Sequence, residues 1–221
     1  MPPLTFDATS LIATYGVRLA PRIWPDVLWR LPPLTPEDRV VYLTFDDGPT
    51  PHTPRLLDLL ARYEARATFF LLGRHIEQYP SMVDVLLDAG HTLGNHGYSH
   101  ADPWRTSTET ILREFDRTTR LLEDHMDTPP RWLRPPYGHL TRSLRAWSLS
   151  RRQRMTMWDV MPGDFLHGVT ASQITQRVLR TVRPGSIVVL HDNLKVAEVT
   201  PPALDTLLAD LTRDGWRFAA L

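Results

Sequence analysis

Two adjacent carboxylates, Asp46 and Asp47, close the run Val40-Val41-Tyr42-Leu43-Thr44-Phe45, and Gly48-Pro49 follows at once. The run is apolar and rich in β-branched and aromatic residues, so it reads as a buried strand with Gly-Pro as its sharp exit. Carboxylates at the end of a buried strand are costly unless something positive meets them or one is held protonated. A metal ion is the simplest such partner. His96 and His100, in Asn95-His96-Gly97-Tyr98-Ser99-His100, add two imidazoles at i and i+4. One Asp with two His leaves a coordination position open for water, as catalytic zinc sites do. Neighbours on an extended chain project to opposite sides. One of the two aspartates can therefore bind metal while the other faces the water as a base.

Further groups suit proton transfer. His191 ends the aliphatic run Ile187-Val188-Val189-Leu190, and a histidine titrates near neutrality, where a carboxylate partner sets its protonation for general acid work. Asp164, after Met161-Pro162-Gly163, is a candidate for that partner. Arg134, just before Pro135-Pro136-Tyr137-Gly138, is placed to pair with Asp46 and hold its geometry. His52, His75, His91, His125, His139 and His167 lack comparable context and read as structural or solvent-exposed. The constellation is that of a metal-dependent hydrolase.

Positioning such a set takes several strand ends. Thr53-Pro54 reads as a helix start, with Thr53 as N-cap and Pro54 at the first helical position. Leu56, Leu59, Leu60 and Tyr63 make the apolar stripe of that helix. Strands are expected at 67–72, 91–95, 131–134, 155–158, 186–190 and 216–219, with helices at 81–89, 141–149 and around Ile174 and Leu204. Thr106-Ser107-Thr108-Glu109 and Thr170-Ala171-Ser172-Gln173 have the form of capping boxes. Strand and helix alternate about seven times, the pattern of a parallel α/β fold. Asp46, Asp47, His96, Arg134, Asp164 and His191 all fall at or just past strand C-termini. Convergence of strand ends on one face is how a (β/α) barrel builds its active site, which favours a barrel of fewer than eight strands over an open sheet.

The chain has 221 residues, enough for one such domain, and 25 basic against 25 acidic residues. A net charge of zero argues against nucleic acid as a partner. Arg142, Arg145, Arg151, Arg152 and Arg154 cluster in sequence but read as a solvated helix face. With no cysteine, thiolate chemistry, disulfides and Cys-based zinc sites are excluded. Met1 to Ala20 lacks a basic n-region followed by an unbroken apolar run, since Asp7 interrupts it. No signal peptide or membrane span is expected, and the localisation this favours is cytoplasmic. Residues 1–38 are Pro-punctuated, with Leu11, Ile12, Tyr15 and Leu19 at helical spacing and Trp24 and Trp29 beyond. They read as an extension packed on a catalytic domain at 39–221.

Thr44-Phe45-Asp46-Asp47-Gly48-Pro49, the His96–His100 pair, Arg134-Pro135-Pro136-Tyr137-Gly138, the Asp164 region and Leu190-His191-Asp192 together resemble, in order, the five motifs of the polysaccharide deacetylases. These are the NodB-type carbohydrate esterases of family four, and the likeness covers roughly residues 40–221. It implies a distorted (β/α)7 barrel with one divalent metal, zinc foremost and cobalt, manganese or nickel as alternatives. By position it makes Asp47, His96 and His100 the ligands, Asp46 the base and His191 the acid. Arg134 would orient Asp46, Asp164 would tune His191, and the Tyr137 backbone N–H would hold the oxyanion. Leu190 and Phe165 would line the slot for an acetyl methyl. Two positions depart from the family's pattern. Gly97 stands where Ser or Thr commonly follows the first histidine, removing a loop-stabilising hydrogen bond, and Phe165 replaces a Trp. The implied substrate is an N-acetylglucosamine glycan of peptidoglycan or chitin type. The rivals are a small amide, such as an acetylated amine or cyclic imide, and a catalytically silent carbohydrate-binding relative.

Overall fold

The structure is a computed structural model that describes residues 22–221 apart from 34 and 36. The helical spacing at Leu11 to Leu19 lies outside these residues.

The axis of the fold is β1 (Val40–Asp46), in which every residue except Tyr42 is buried. Such a run suits a parallel strand covered on both faces. It pairs in parallel with β2 (Ala67–Leu71) on one side and β6 (Ile187–His191) on the other. The remaining strands are β3 (Thr92–Asn95), β4 (Trp132–Leu133), β5 (Arg154–Met155) and β7 (Arg217–Phe218). The order is β5-β4-β3-β2-β1-β6, with β7 paired to the start of β1, and all the ladders are parallel. Helices α1 (Thr53–Arg62), α2 (Gly73–Gln78), α3 (Pro80–Asp88), α4 (Thr108–Glu123), α5 (Arg142–Ser150), α6 (Ala171–Thr181) and α7 (Thr200–Arg213) fill the connections. The result is a curled seven-stranded sheet, the expected distorted (β/α)7 barrel.

The curl is not closed by a continuous ladder. Val160 bridges Val188 on β6, while Leu28 bridges Thr156 and Arg30 bridges Ser186. Residues 28–31 thus enter the seam between β5 and β6, and Leu31 N donates to the Gly185 carbonyl at 3.0 Å. Gly185 is required there. Its φ is +83°, and an added Cβ would overlap the Leu31 carbonyl oxygen. One core joins β1, β2 and β6 to α1, α6 and α7 through Phe45, Phe69, Leu60, Val178, Leu190 and Leu207. A second gathers Phe115, Leu133, Trp147 and Met155 around Val27 and Trp29.

Several local expectations change. Thr53 is the first residue of α1 rather than its cap, because its hydroxyl accepts from Thr50 N and donates to Asp192. The cap of α4 is Ser107, which accepts from Thr110 N, while Glu109 pairs with Arg113 instead of closing a box. The Thr170–Gln173 box is present as expected. The strand expected at 155–158 is cut to β5, because Thr156 bridges Leu28 and Val160 bridges Val188 in place of a continued ladder with β4. Helix α2, too short to show a period, was not anticipated. Arg145 pairs with Asp26 and Arg151 with Asp116, so the arginine cluster is partly neutralised. Among the described residues no helix is long and apolar enough to cross a membrane.

Candidate active site

Strand register assembles the site. Asp46 on β1 is the Cα partner of His191 on β6, so base and acid candidates sit one strand spacing apart, about 4.8 Å between chains. Asn95 on β3 is opposite Leu133 on β4, which sets His96 beside Arg134. Asp164, Tyr137 and His100 come from the loops that follow.

Asp46 is buried and its Oδ1 accepts from Arg134 Nη1 at 2.7 Å. Arg134 is completely buried. It also donates from Nη1 to Thr44 Oγ1, from Nη2 to the Met157 carbonyl and from Nε to the Thr156 carbonyl, and its guanidinium lies 4.2 Å from the Phe70 ring centroid. A buried cation held by this many partners fixes one oxygen of Asp46. The other, Oδ2, is left 3.8 Å from His96 Nε2.

Asp47 leaves the strand with φ at +77°, a strained value for a side-chain-bearing residue that swings its carboxylate to the histidines. Its Oδ1 lies 3.6 Å from His96 Nε2 and 3.4 Å from His100 Nε2. That oxygen is buried and has no hydrogen-bond partner among the described residues. His96 Nδ1 faces the Arg134 carbonyl at 2.7 Å and must donate to it, so in the neutral ring it is Nε2 that carries the lone pair. Burial, reinforced by His96, pushes His100 down to about 4, which keeps it neutral as a ligand must be. Burial alone would raise Asp47, but the three nearby histidines and the Asn193 hydrogen bond bring it below its ordinary value. An orphaned anionic oxygen facing imidazole lone pairs, with all three ligand atoms within 4.8 Å, fits a divalent cation.

The carboxylate's other oxygen, Oδ2, accepts from Asn193 Nδ2 at 2.8 Å, and its backbone carbonyl accepts from His75 Nδ1 at 2.7 Å. Neither residue is anticipated by the sequence reading as a partner of Asp47. Outer partners of this kind typically change metal affinity 10–100-fold. We expect Asn193→Ala to weaken metal binding at least tenfold, read by competition with a chromophoric chelator. An unchanged affinity would remove this role from Asn193.

His191 donates from Nδ1 to Asp164 Oδ1 at 2.8 Å. Asp164 Oδ2 accepts from the His191 backbone N and from Thr200 Oγ1. Burial alone would lower the imidazole, but Asp164, aided by Asp46 and Asp47, raises it to about 9. At neutral pH His191 is therefore a charged donor whose Nε2 has no partner among the described residues. Phe165 is about half exposed and stands edge-on to the His191 ring at 5.2 Å, whereas Leu190 is fully buried in the core. Tyr137, at φ +59°, places its ring 4.5 Å from His100.

Asp192, also unanticipated, anchors the loop after Asp47 by accepting from the hydroxyls of Thr50 and Thr53. A Cβ on Gly48 would sit 2.6 Å from its Oδ2. The bond expected to be missing at Gly97 is replaced. Gly97 N donates to Asn95 Oδ1, Ser99 donates to Glu114, and the φ of +77° at 97 is one that glycine adopts without strain.

The sequence profile of the polysaccharide deacetylases matches residues 34–157. A peptidoglycan-N-acetylglucosamine deacetylase of Bacillus cereus is 34% identical over 183 residues, 82% of this chain and 66% of that protein. A chitooligosaccharide deacetylase of Rhizobium leguminosarum is 34% identical over 182 residues, 78% of this chain and 84% of the relative. The crystal structure of a peptidoglycan N-acetylglucosamine deacetylase superposes with a TM-score of 0.85 at 31% identity, covering 91% of this chain and 95% of that one. The chain belongs to the polysaccharide deacetylase family. It spans 66% of the length of the Bacillus cereus relative and 38% of that of another peptidoglycan deacetylase.

Proposed function

We propose that this protein is a metal-dependent N-deacetylase that hydrolyses the acetamide of N-acetylglucosamine in a glycan, releasing acetate and a free amino sugar. The observation that carries the reading is one face with three parts: the Asp47–His96–His100 cluster, a carboxylate locked by a buried arginine on one side, and a charged histidine on the other. Family membership and the named relatives support the glycan as substrate.

The metal, which we take to be zinc, would be held by Asp47, His96 and His100 and would supply a Lewis acid for the amide carbonyl and for water. Asp46 takes the proton as water attacks the acetamide carbon, with Arg134 holding its carboxylate in place. The backbone N–H at Tyr137 meets the developing oxyanion. His191 gives its Nε2 proton to the leaving nitrogen, so that an amine rather than an amide anion departs. Phe165 borders the acetyl group, with Leu190 packed behind His191.

The direct test is acetate release from an N-acetylglucosamine tetramer after chelation and after adding back zinc, cobalt or manganese. Release lost on chelation and restored by metal is the expected result. Tight metal binding without acetate release would overturn the glycan reading and point to a small amide.

The pH dependence has a definite sign. A folded value of about 9 against the ordinary 6.5 means that, in the metal-free protein, the His191–Asp164 pair stabilises fully below about pH 6.5. That contribution is lost as pH rises through about 9. For catalysis the active form is protonated, so kcat/KM falls on the alkaline side, and a bound cation draws that limb below 9. Asp164→Asn removes the largest upward influence. The alkaline limb is expected to move down by about one pH unit or more in a kcat/KM profile. An unmoved limb would mean that Asp164 does not set the acid.

A further inference from the structure

A row of aromatic rings leads outward from the ligand cluster. Tyr137 lies 4.5 Å from His100, His139 lies 5.6 Å from Tyr137, and Trp104 stacks flat on His139 at 3.7 Å with planes 3° apart. Trp104 is 66% exposed, although an indole left in water forgoes much of the burial energy its size offers. It is nevertheless fixed in place. Trp104 Nε1 donates to the Leu140 carbonyl at 3.1 Å, and its backbone N donates to Asp102 Oδ1 at 2.9 Å. The same oxygen accepts from His139 Nδ1 at 2.6 Å. One carboxylate therefore clamps both rings, and its other oxygen lies 3.6 Å from Arg105 Nε. The outcome is a flat, rigid and exposed surface. Its two rings come from the loops that carry His100 and Tyr137.

We propose that Trp104, backed by His139, is a platform for the apolar face of a pyranose ring in the glycan, beyond the residue that undergoes hydrolysis. The proposal rests on the glycan reading above and adds to it a determinant of chain length. A rigid indole gives large contact area at little entropic cost, and its amphipathic character suits a neutral polyhydroxylated ring better than an anion. A single N-acetylated sugar held at the reacting centre gains nothing from the platform, whereas an oligomer does.

The test uses the full-length, metal-loaded Asp46→Asn protein, whose slowed turnover keeps the oligosaccharide intact. The indole N–H resonance of Trp104, assigned by its loss in Trp104→Phe, is followed while an N-acetylglucosamine tetramer is titrated in. The resonance is expected to shift, and Trp104→Ala is expected to weaken tetramer binding about tenfold while weakening monomer binding much less. His139→Ala, which removes the ring behind the indole, should act in the same direction. An unmoved Trp104 resonance at saturating tetramer, or equal losses for monomer and tetramer, overturns the platform. Acetate release by the unaltered enzyme separates the two readings. Release without a Trp104 shift rejects the platform alone, and a shift without release rejects the deacetylase alone.

Discussion

Asp46→Asn is expected to lower kcat/KM for acetate release by two to four orders of magnitude, roughly the contribution of a positioned general base, with metal content unchanged. The substitution is nearly isosteric. Arg134 Nη1 can still donate to an oxygen at the position of Oδ1, where it now makes a 2.7 Å bond. What is lost is the basicity of the second oxygen. The three atoms that could hold a metal belong to Asp47, His96 and His100, so metal should stay bound, which separates this variant from Asp47→Asn. Activity by acetate assay and metal by atomic absorption decide the matter together. Full activity with metal in place would sink the assignment of Asp46 as base.

Arg134→Met is expected to have the largest effect on stability. Arg134 is fully buried and Asp46 is 3% exposed, so removing the arginine strands a carboxylate in the interior. Breaking a buried pair in this way costs about 3–5 kcal/mol, on the order of 10 °C in melting temperature for a chain of this size. Removing both partners is different, since replacing a buried pair by uncharged groups is often close to neutral. Asp46→Asn/Arg134→Met should therefore regain much of what the single arginine variant loses. Thermal unfolding of the two single variants and the double gives the coupling directly. A melting temperature for Arg134→Met within a degree or two of the unaltered protein would show that the pair does not hold the interior together.

Much of the site was legible because its chemistry is concentrated at strand ends. The apolar runs before Asp46 and His191 mark buried parallel strands, and a polar residue at the end of such a run stands out. The pairing of Arg134 with Asp46 and of Asp164 with His191 could be anticipated for the same reason. Asn193 and Asp192 were harder to see, because they continue the run past His191 as an ordinary polar exit. Their roles depend on β6 lying next to β1, a relation the linear order does not express. His75 had no flanking signal because its partner is a backbone carbonyl, that of Asp47. The seam had none either. Leu28 and Arg30 each contribute a single bridge, too little to produce a period. The segment was thus assigned to an extension, and its two isolated bridges to Thr156 and Ser186 left no trace in the sequence pattern.

Five residues other than glycine adopt positive φ among the described residues, and three of them are Asp47, His100 and Tyr137. Each costs of order 1–3 kcal/mol relative to a relaxed backbone, and glycine is the residue that would relieve it. At Asp47 and His100 the chemistry is thus installed where the chain would otherwise choose no side chain at all. A lineage selected only for heat tolerance would find its easiest gains at these positions, and would dismantle the catalyst while improving the scaffold. Durability and the hold on a metal draw on the same two backbone angles, those of Asp47 and His100.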